Sequence, residues 1–170
     1  MKGRSGQVLM AVLILVAMVG ALRYWFSEER RIRARLGQVE EYLGKPEGEG
    51  DLIGANKARK LGELFTPDFE ISIPQYDISV SDRGELVRVA LLYRSRAKSA
   101  TASFSPGEIN IDGSGVNATV QVTATLTGND EGTRRRESYR VAIDWAKDSR
   151  EGWLIRRLEV LEVLEGNPFL

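Results

Sequence analysis

Val116-Asn117-Ala118-Thr119-Val120-Gln121-Val122-Thr123-Ala124-Thr125-Leu126-Thr127 decides the fold class of this chain. Apolar side chains alternate with polar ones throughout, which is the period of a strand with one face in a core and the other toward water or a polar partner. Downstream, Gly128-Asn129-Asp130-Glu131-Gly132 reads as a hairpin loop. Tyr139, Val141, Ile143 and Trp145 then alternate with Ser138, Arg140, Ala142 and Asp144, and Asp148 to Gly152 makes the next hairpin. The last strand, Trp153 to Leu164, is apolar in both phases, so it is expected to be central, bulged or covered on both faces. Upstream, residues 102–111 form a strand interrupted at Pro106-Gly107, and Asp112 to Gly115 turns the chain. The C-terminal half is therefore an antiparallel meander.

Helical spacing takes over toward the N-terminus. Asp82-Arg83-Gly84-Glu85 is a capping box, in which Asp accepts amide protons and Glu reaches back. It opens a helix with Leu86, Val89, Ala90, Tyr93 and Ala97 on one face, while Arg88, Arg94, Arg96 and Lys98 read as a solvated face. Asp77, after Tyr76, reads as a turn residue that could reach a pocket rim. Residues 69–74 alternate like a short strand ending at Pro74. Before it, a helix is expected from Asp51 to Phe65, stopped by Pro67. Residues 45–50, within the Gly- and Pro-rich run 44–50, form a linker without apolar residues. Residues 27–44 carry Ile32, Leu36, Val39 and Leu43 as one apolar stripe beside Arg30, Arg31, Arg33 and Arg35. Those arginines form either a patch for anionic headgroups or a solvated helix flank.

Residues 1–26 differ from everything after them. No charge falls between Ser5 and Leu22, and the run is apolar on every helical face. A bilayer core of about 30 Å takes roughly 20 helical residues, a length reached from Val8 to Phe26 if Arg23 snorkels beside Tyr24, Trp25 and Phe26. An uncleaved membrane anchor is expected, with a cleaved signal peptide as the competing reading. Lys2 and Arg4 favour one orientation and the downstream arginines the other. The expectation is a bacterial inner-membrane, single-pass protein with its body in the periplasm.

The composition excludes much chemistry. The chain has 170 residues, no Cys and no His, with 24 Lys+Arg balanced by 24 Asp+Glu. Thiolate nucleophiles, Cys or His zinc sites and imidazole bases are ruled out. Neutrality argues against nucleic acid as a partner. No residue pattern for a metal or cofactor is legible.

The order of elements, with Leu61-Gly-Glu-Leu-Phe-Thr-Pro-Asp-Phe-Glu-Ile71, the helix start at 82–85, Ile109-Asn-Ile-Asp-Gly113 and the Trp153 strand, resembles the nuclear-transport-factor-2-like superfamily. That superfamily includes the SnoaL-like and ketosteroid-isomerase-like proteins. The resemblance covers residues 28–164 and implies an α+β fold, a cone-shaped antiparallel sheet packed on about three helices. The domain would span 51–170, with the helix at 27–44 contributing to its core. It further implies a pocket between sheet and helices, for which Phe65, Phe69, Tyr93, Phe104 and Trp145 are the candidate lining residues. Family enzymes often use Asp with Tyr or His; here His is absent and no acid–base pair is guaranteed, so no catalytic residue is assigned. Family members often pair through the convex face, where Gln121, Thr123, Arg140 and Asp144 are the candidate interface. The expected function is a membrane-anchored, non-catalytic binding or assembly module, a homodimer or the partner of another envelope protein. A small lyase or isomerase acting on an apolar ligand, and a lipid or hydrophobe carrier, are the alternatives.

Overall fold

The structure, a computed structural model, describes residues 13–16, 18–20, 27–130 and 133–166. Helix α1 (Glu28–Leu43) is followed by α2 (Asp51–Glu63), strand β1 (Phe65–Ile73), a single 3₁₀ turn (Pro74–Tyr76) and β2 (Ile78–Val80). Then come α3 (Arg83–Ser95), β3 (Ser99–Ile111), β4 (Asn117–Asp130), β5 (Thr133–Asp148) and β6 (Gly152–Glu165). The strands form one six-stranded sheet in the order β2-β1-β6-β5-β4-β3. Every neighbouring pair is antiparallel except β1 with β6.

The apolar phases of the long strands meet in register. Ala118 lies opposite Trp145, Val120 opposite Ile143, Val122 opposite Val141 and Ala124 opposite Tyr139. Helix α1 seals this face with Ile32, Leu36 and Val39, all buried, so it belongs to the core. Strand β6 shows why its sequence is apolar in both phases. Its pairing with β5 shifts register three times, each shift exchanging the face its side chains take.

Several elements differ from the sequence reading. Helix α2 ends at Glu63, two residues before its expected end, because Phe65 already pairs with Ile155 and the Ile155 N–H donates to the Leu64 carbonyl at 2.8 Å. Pro67 lies inside β1, not at a helix stop. It has no N–H to give, and the β1–β6 register slips between Phe65 and Glu70, so no ladder bond is asked of it. β2 is an additional short strand, and β5 reaches back to Thr133, which puts Arg134, Arg135 and Arg136 within it. On α3, Val89 is exposed, while Arg94, read as a solvated residue, is buried. The buried stripe runs Leu86, Ala90, Arg94 at four-residue spacing. The Arg94 guanidinium donates to the carbonyls of Tyr42 (2.8 Å), Leu43 (3.2 Å) and Gly44 (2.5 Å) and pairs with Glu49. The 45–50 linker thus supplies a buried carboxylate that ties α1, α2 and α3 together.

The anchor expected over 1–26 falls mostly outside the described residues. Residues 13–16 and 18–20 are helical, with Leu13, Ile14, Leu15, Val16, Met18 and Val19 exposed. Among the described residues no helix is long and apolar enough to cross a membrane.

Candidate functional site

The space between sheet and helices is occupied by side chains. Trp145, Trp153, Phe69, Ile143 and Ile155 are fully buried there, and the Phe65 and Phe69 rings pack with centroids 5.1 Å apart. Of the five candidate lining residues, Phe65, Phe69 and Trp145 are thus core, and Phe104 and Tyr93 are half-buried at its margin. Trp145 leaves its indole N–H without a partner among the described residues.

Phe65 also borders a notch of about 300 Å³ at the end of the domain where α1 begins. Its lining is half apolar, from Phe65, Pro67 and Leu154, and half charged, from Glu63, Arg83, Asp148 and Glu151. Arg83, Glu63 and Asp148 are engaged locally. Arg83 donates to the Phe65 carbonyl at 3.0 Å, and Glu63 pairs with Arg59 at 2.8 Å. Asp148 accepts the amides of Glu151 and Arg150, which hold its carboxyl below the usual carboxylate range. No group of three or more carboxylates able to hold a metal occurs among the described residues.

At the opposite end lies a constellation the sequence reading missed. Glu137 shares the phase of Tyr139 on β5 and faces Leu126 across the β4–β5 ladder. The Tyr139 hydroxyl donates to Glu137 Oε2 at 2.6 Å. Burial, this hydrogen bond, and the charge of Glu137 push the Tyr139 phenol far above its ordinary pKa of 10.0, with Tyr76 and Tyr93 contributing. Tyr93 comes from α3, and its hydroxyl is buried with no hydrogen-bond partner among the described residues. Burial and then the Glu137 charge raise it to about 12, so it stays a phenol at neutral pH. The signal for Glu137 was available: it is two residues before Tyr139 in an alternating strand. Asp77, by contrast, sits exposed at the end of the 3₁₀ turn with φ of 53°, which makes it a turn residue.

The other sheet face is polar. Thr119 lies opposite Asp144, Thr123 opposite Arg140 and Gln121 opposite Ala142. Gln121, Thr123, Arg140 and Asp144 therefore share one face on adjacent strands; the first three are exposed and Asp144 is half-buried. Arg140 pairs with Glu162 of β6 at 2.8 Å.

The sequence model of the SnoaL-like domain matches residues 51–159. No curated protein matches the chain. Among solved structures, a nuclear-transport-factor-2-like protein with a cystatin-like fold from Novosphingobium aromaticivorans superposes with a TM-score of 0.67 at 16% identity, covering 91% of this chain and 92% of that one. A candidate scytalone dehydratase from the same organism gives 0.60 at 18% identity, covering 81% and 85%. ActVI-ORFA from Streptomyces coelicolor gives 0.59 at 13% identity, covering 76% and 92%. At these identities the likeness is one of fold, an α+β architecture with a curved six-stranded sheet packed on helices.

Proposed function

We propose that this chain, which belongs to the SnoaL-like domain family, works as a membrane-tethered binding or assembly module and not as an enzyme of the cone interior. The observation that carries this reading is the filled interior: Trp145 and Ile143, at 0% and 1% exposure, stand where a pocket floor would need open space. A general base must come within hydrogen-bond reach of its substrate proton. The only carboxylate found in the inward phase of β5 lies beyond the packed rungs and already accepts the Tyr139 hydroxyl. Fold alone does not decide between catalysis and binding, since one fold hosts many functions.

The binding face is the exposed polar side of β4 and β5, with Gln121, Thr123, Arg140 and Asp144 at its centre, and the occupant is a second copy or another envelope protein. The tether is the uncharged run between Ser5 and Leu22, which leads toward α1, in a bacterial inner membrane with the body in the periplasm. Sedimentation of the full chain in a nonionic detergent tests the self-association arm. A dimer dispersed by Arg140→Glu together with Thr123→Glu is expected. A strictly monomeric chain with no co-purifying protein, unchanged by these substitutions, overturns the reading. A reporter fused at Leu170, active only in the cytoplasm, would overturn the orientation.

A further inference from the structure

The notch where α1 begins has opposite charges on two walls that do not meet each other. On one wall, Arg83 opens α3 and donates one of its five N–H groups to the Phe65 carbonyl at 3.0 Å. Among the described residues Arg83 makes no ion pair. Gly62 lies against the Arg83 stem, and the next residue, Glu63, has its charge opposed by Arg59 at 2.8 Å. On the other wall, the β5–β6 hairpin carries Asp148 and Glu151. Asp148 accepts two amides of its own hairpin, at 2.7 and 2.9 Å. The Glu151 carboxylate has no partner among the described residues, and Arg35 of α1 meets the Glu151 carbonyl instead. Phe65 and Pro67 of β1 and Leu154 of β6 supply the apolar lining between the walls. In the sheet β6 separates β1 from β5, so the walls stand two strand spacings apart, about 10 Å between backbones.

We propose that this notch binds a linear ω-amino carboxylate, a chain of several methylenes with a carboxylate at one end and an ammonium at the other. The carboxylate accepts the remaining N–H groups of Arg83, a charge-assisted bond. The ammonium opposes Glu151, with Asp148 beside it on the hairpin. The methylenes lie on Phe65, Pro67 and Leu154. A molecule with a single charge uses one wall and leaves the other as it was. An α-amino acid carries both charges on one carbon and is too short to reach both walls. A cavity of about 300 Å³ lies at the small end of ligand sites, which suits a molecule of this size. The notch is separate from the filled interior and from the polar sheet face, and the site stands or falls independently of both.

The test is an NMR titration of the full chain in maltoside detergent, which carries no charge of its own. The probe is ε-aminocaproate. Its comparators are norleucine, the isomer with both charges on one carbon, and the singly charged n-pentylammonium and hexanoate. Saturable amide shifts at Arg83, Phe65 and Glu151 are expected with ε-aminocaproate, and each comparator should bind at least about fivefold more weakly. Glu151→Gln should weaken ε-aminocaproate by about fivefold and leave hexanoate unchanged. Arg83→Gln should weaken it by a similar factor and leave n-pentylammonium unchanged. No saturable shift, a comparator that binds as tightly as ε-aminocaproate, or unchanged affinity in either variant would overturn the proposal. Should Arg83→Gln fail to fold, Glu151→Gln decides alone, since it alters an exposed carboxylate with no partner among the described residues.

Discussion

Replacing Arg94 with methionine keeps much of the side-chain length and removes the charge that joins three helices. Arg94 and Glu49 each have 4% side-chain exposure, so neither can turn to water when the other is lost. Removing one member of a buried pair costs about 3–5 kcal/mol, most of it the penalty on the stranded partner. Lys57 remains on Glu49 at 2.7 Å and also reaches the Gly44 carbonyl at 3.4 Å, which places this part at the lower end, about 3 kcal/mol. The carbonyls of Tyr42 and Leu43, at the end of α1, also lose their donor, and adding about 1 kcal/mol for them gives a total of about 4 kcal/mol. Against a typical domain stability of about 5–15 kcal/mol, this is a large fraction.

Urea unfolding at pH 7 of the full chain, Arg94→Met, Glu49→Gln and the double variant forms a cycle that isolates the pair. The double variant should lose about 2 kcal/mol less than the sum of the two single losses, because neutralising Glu49 removes the stranded charge. A loss below about 1 kcal/mol in Arg94→Met, as for a solvated arginine, would refute the reasoning, and so would strict additivity.

Burial works against ionisation of Glu28, but hydrogen bonds from Trp153 Nε1 (2.7 Å) and Lys147 (3.1 Å) and the charges of Arg31 and Lys147 leave its pKa lowered from 4.5. Its contribution to stability is therefore complete above pH 4.5 and lost as pH falls through the folded value; Glu28→Gln should flatten the acid limb of a stability profile followed by Trp fluorescence. The Tyr93 phenol is raised to about 12, so its contribution is complete below pH 10 and lost as pH climbs toward 12. Tyr93→Phe should reduce alkaline destabilisation in that window, and tyrosinate absorbance should show one fewer late-ionising phenol. Glu40 accepts the Phe104 amide of edge strand β3 at 2.5 Å, and Glu40→Ala should cost about 1.5–3 kcal/mol in urea melts while speeding amide exchange at Phe104.

The meander was legible because β4 and β5 announce their faces residue by residue: Ala118, Val120, Val122 and Ala124 all land in the core. The start of α3 was legible for a local reason too, since the Asp82 carboxylate accepts the Glu85 amide at 2.8 Å, three residues away. What escaped is what depends on distant chain. The parallel pairing of β1 with β6 joins Phe65 to Ile155, and nothing near Phe65 announces it. Once that pairing exists, Phe65 leaves the helix and Pro67 is tolerated in a strand. Pocket lining was legible only as apolar phase, which places Trp145 and Phe69 inward but cannot say whether the space they enter is open.

Arg94 and Glu137 were missed for one reason, and they separate for another. Each is a charged residue in a buried phase: Arg94 four residues after Ala90 on α3, Glu137 two residues before Tyr139 on β5. Residue type argued for solvent in both cases, and period argued for the core. Period won, because a side chain's direction follows from backbone geometry and not from its chemistry. A charge forced inward must then be compensated. Arg94 meets Glu49, 45 residues away, and three carbonyls besides, which is the saturated arrangement of a structural knot. Glu137, among the described residues, meets one phenol from its own strand. Phase finds such residues, and their partners show how each inward charge is compensated.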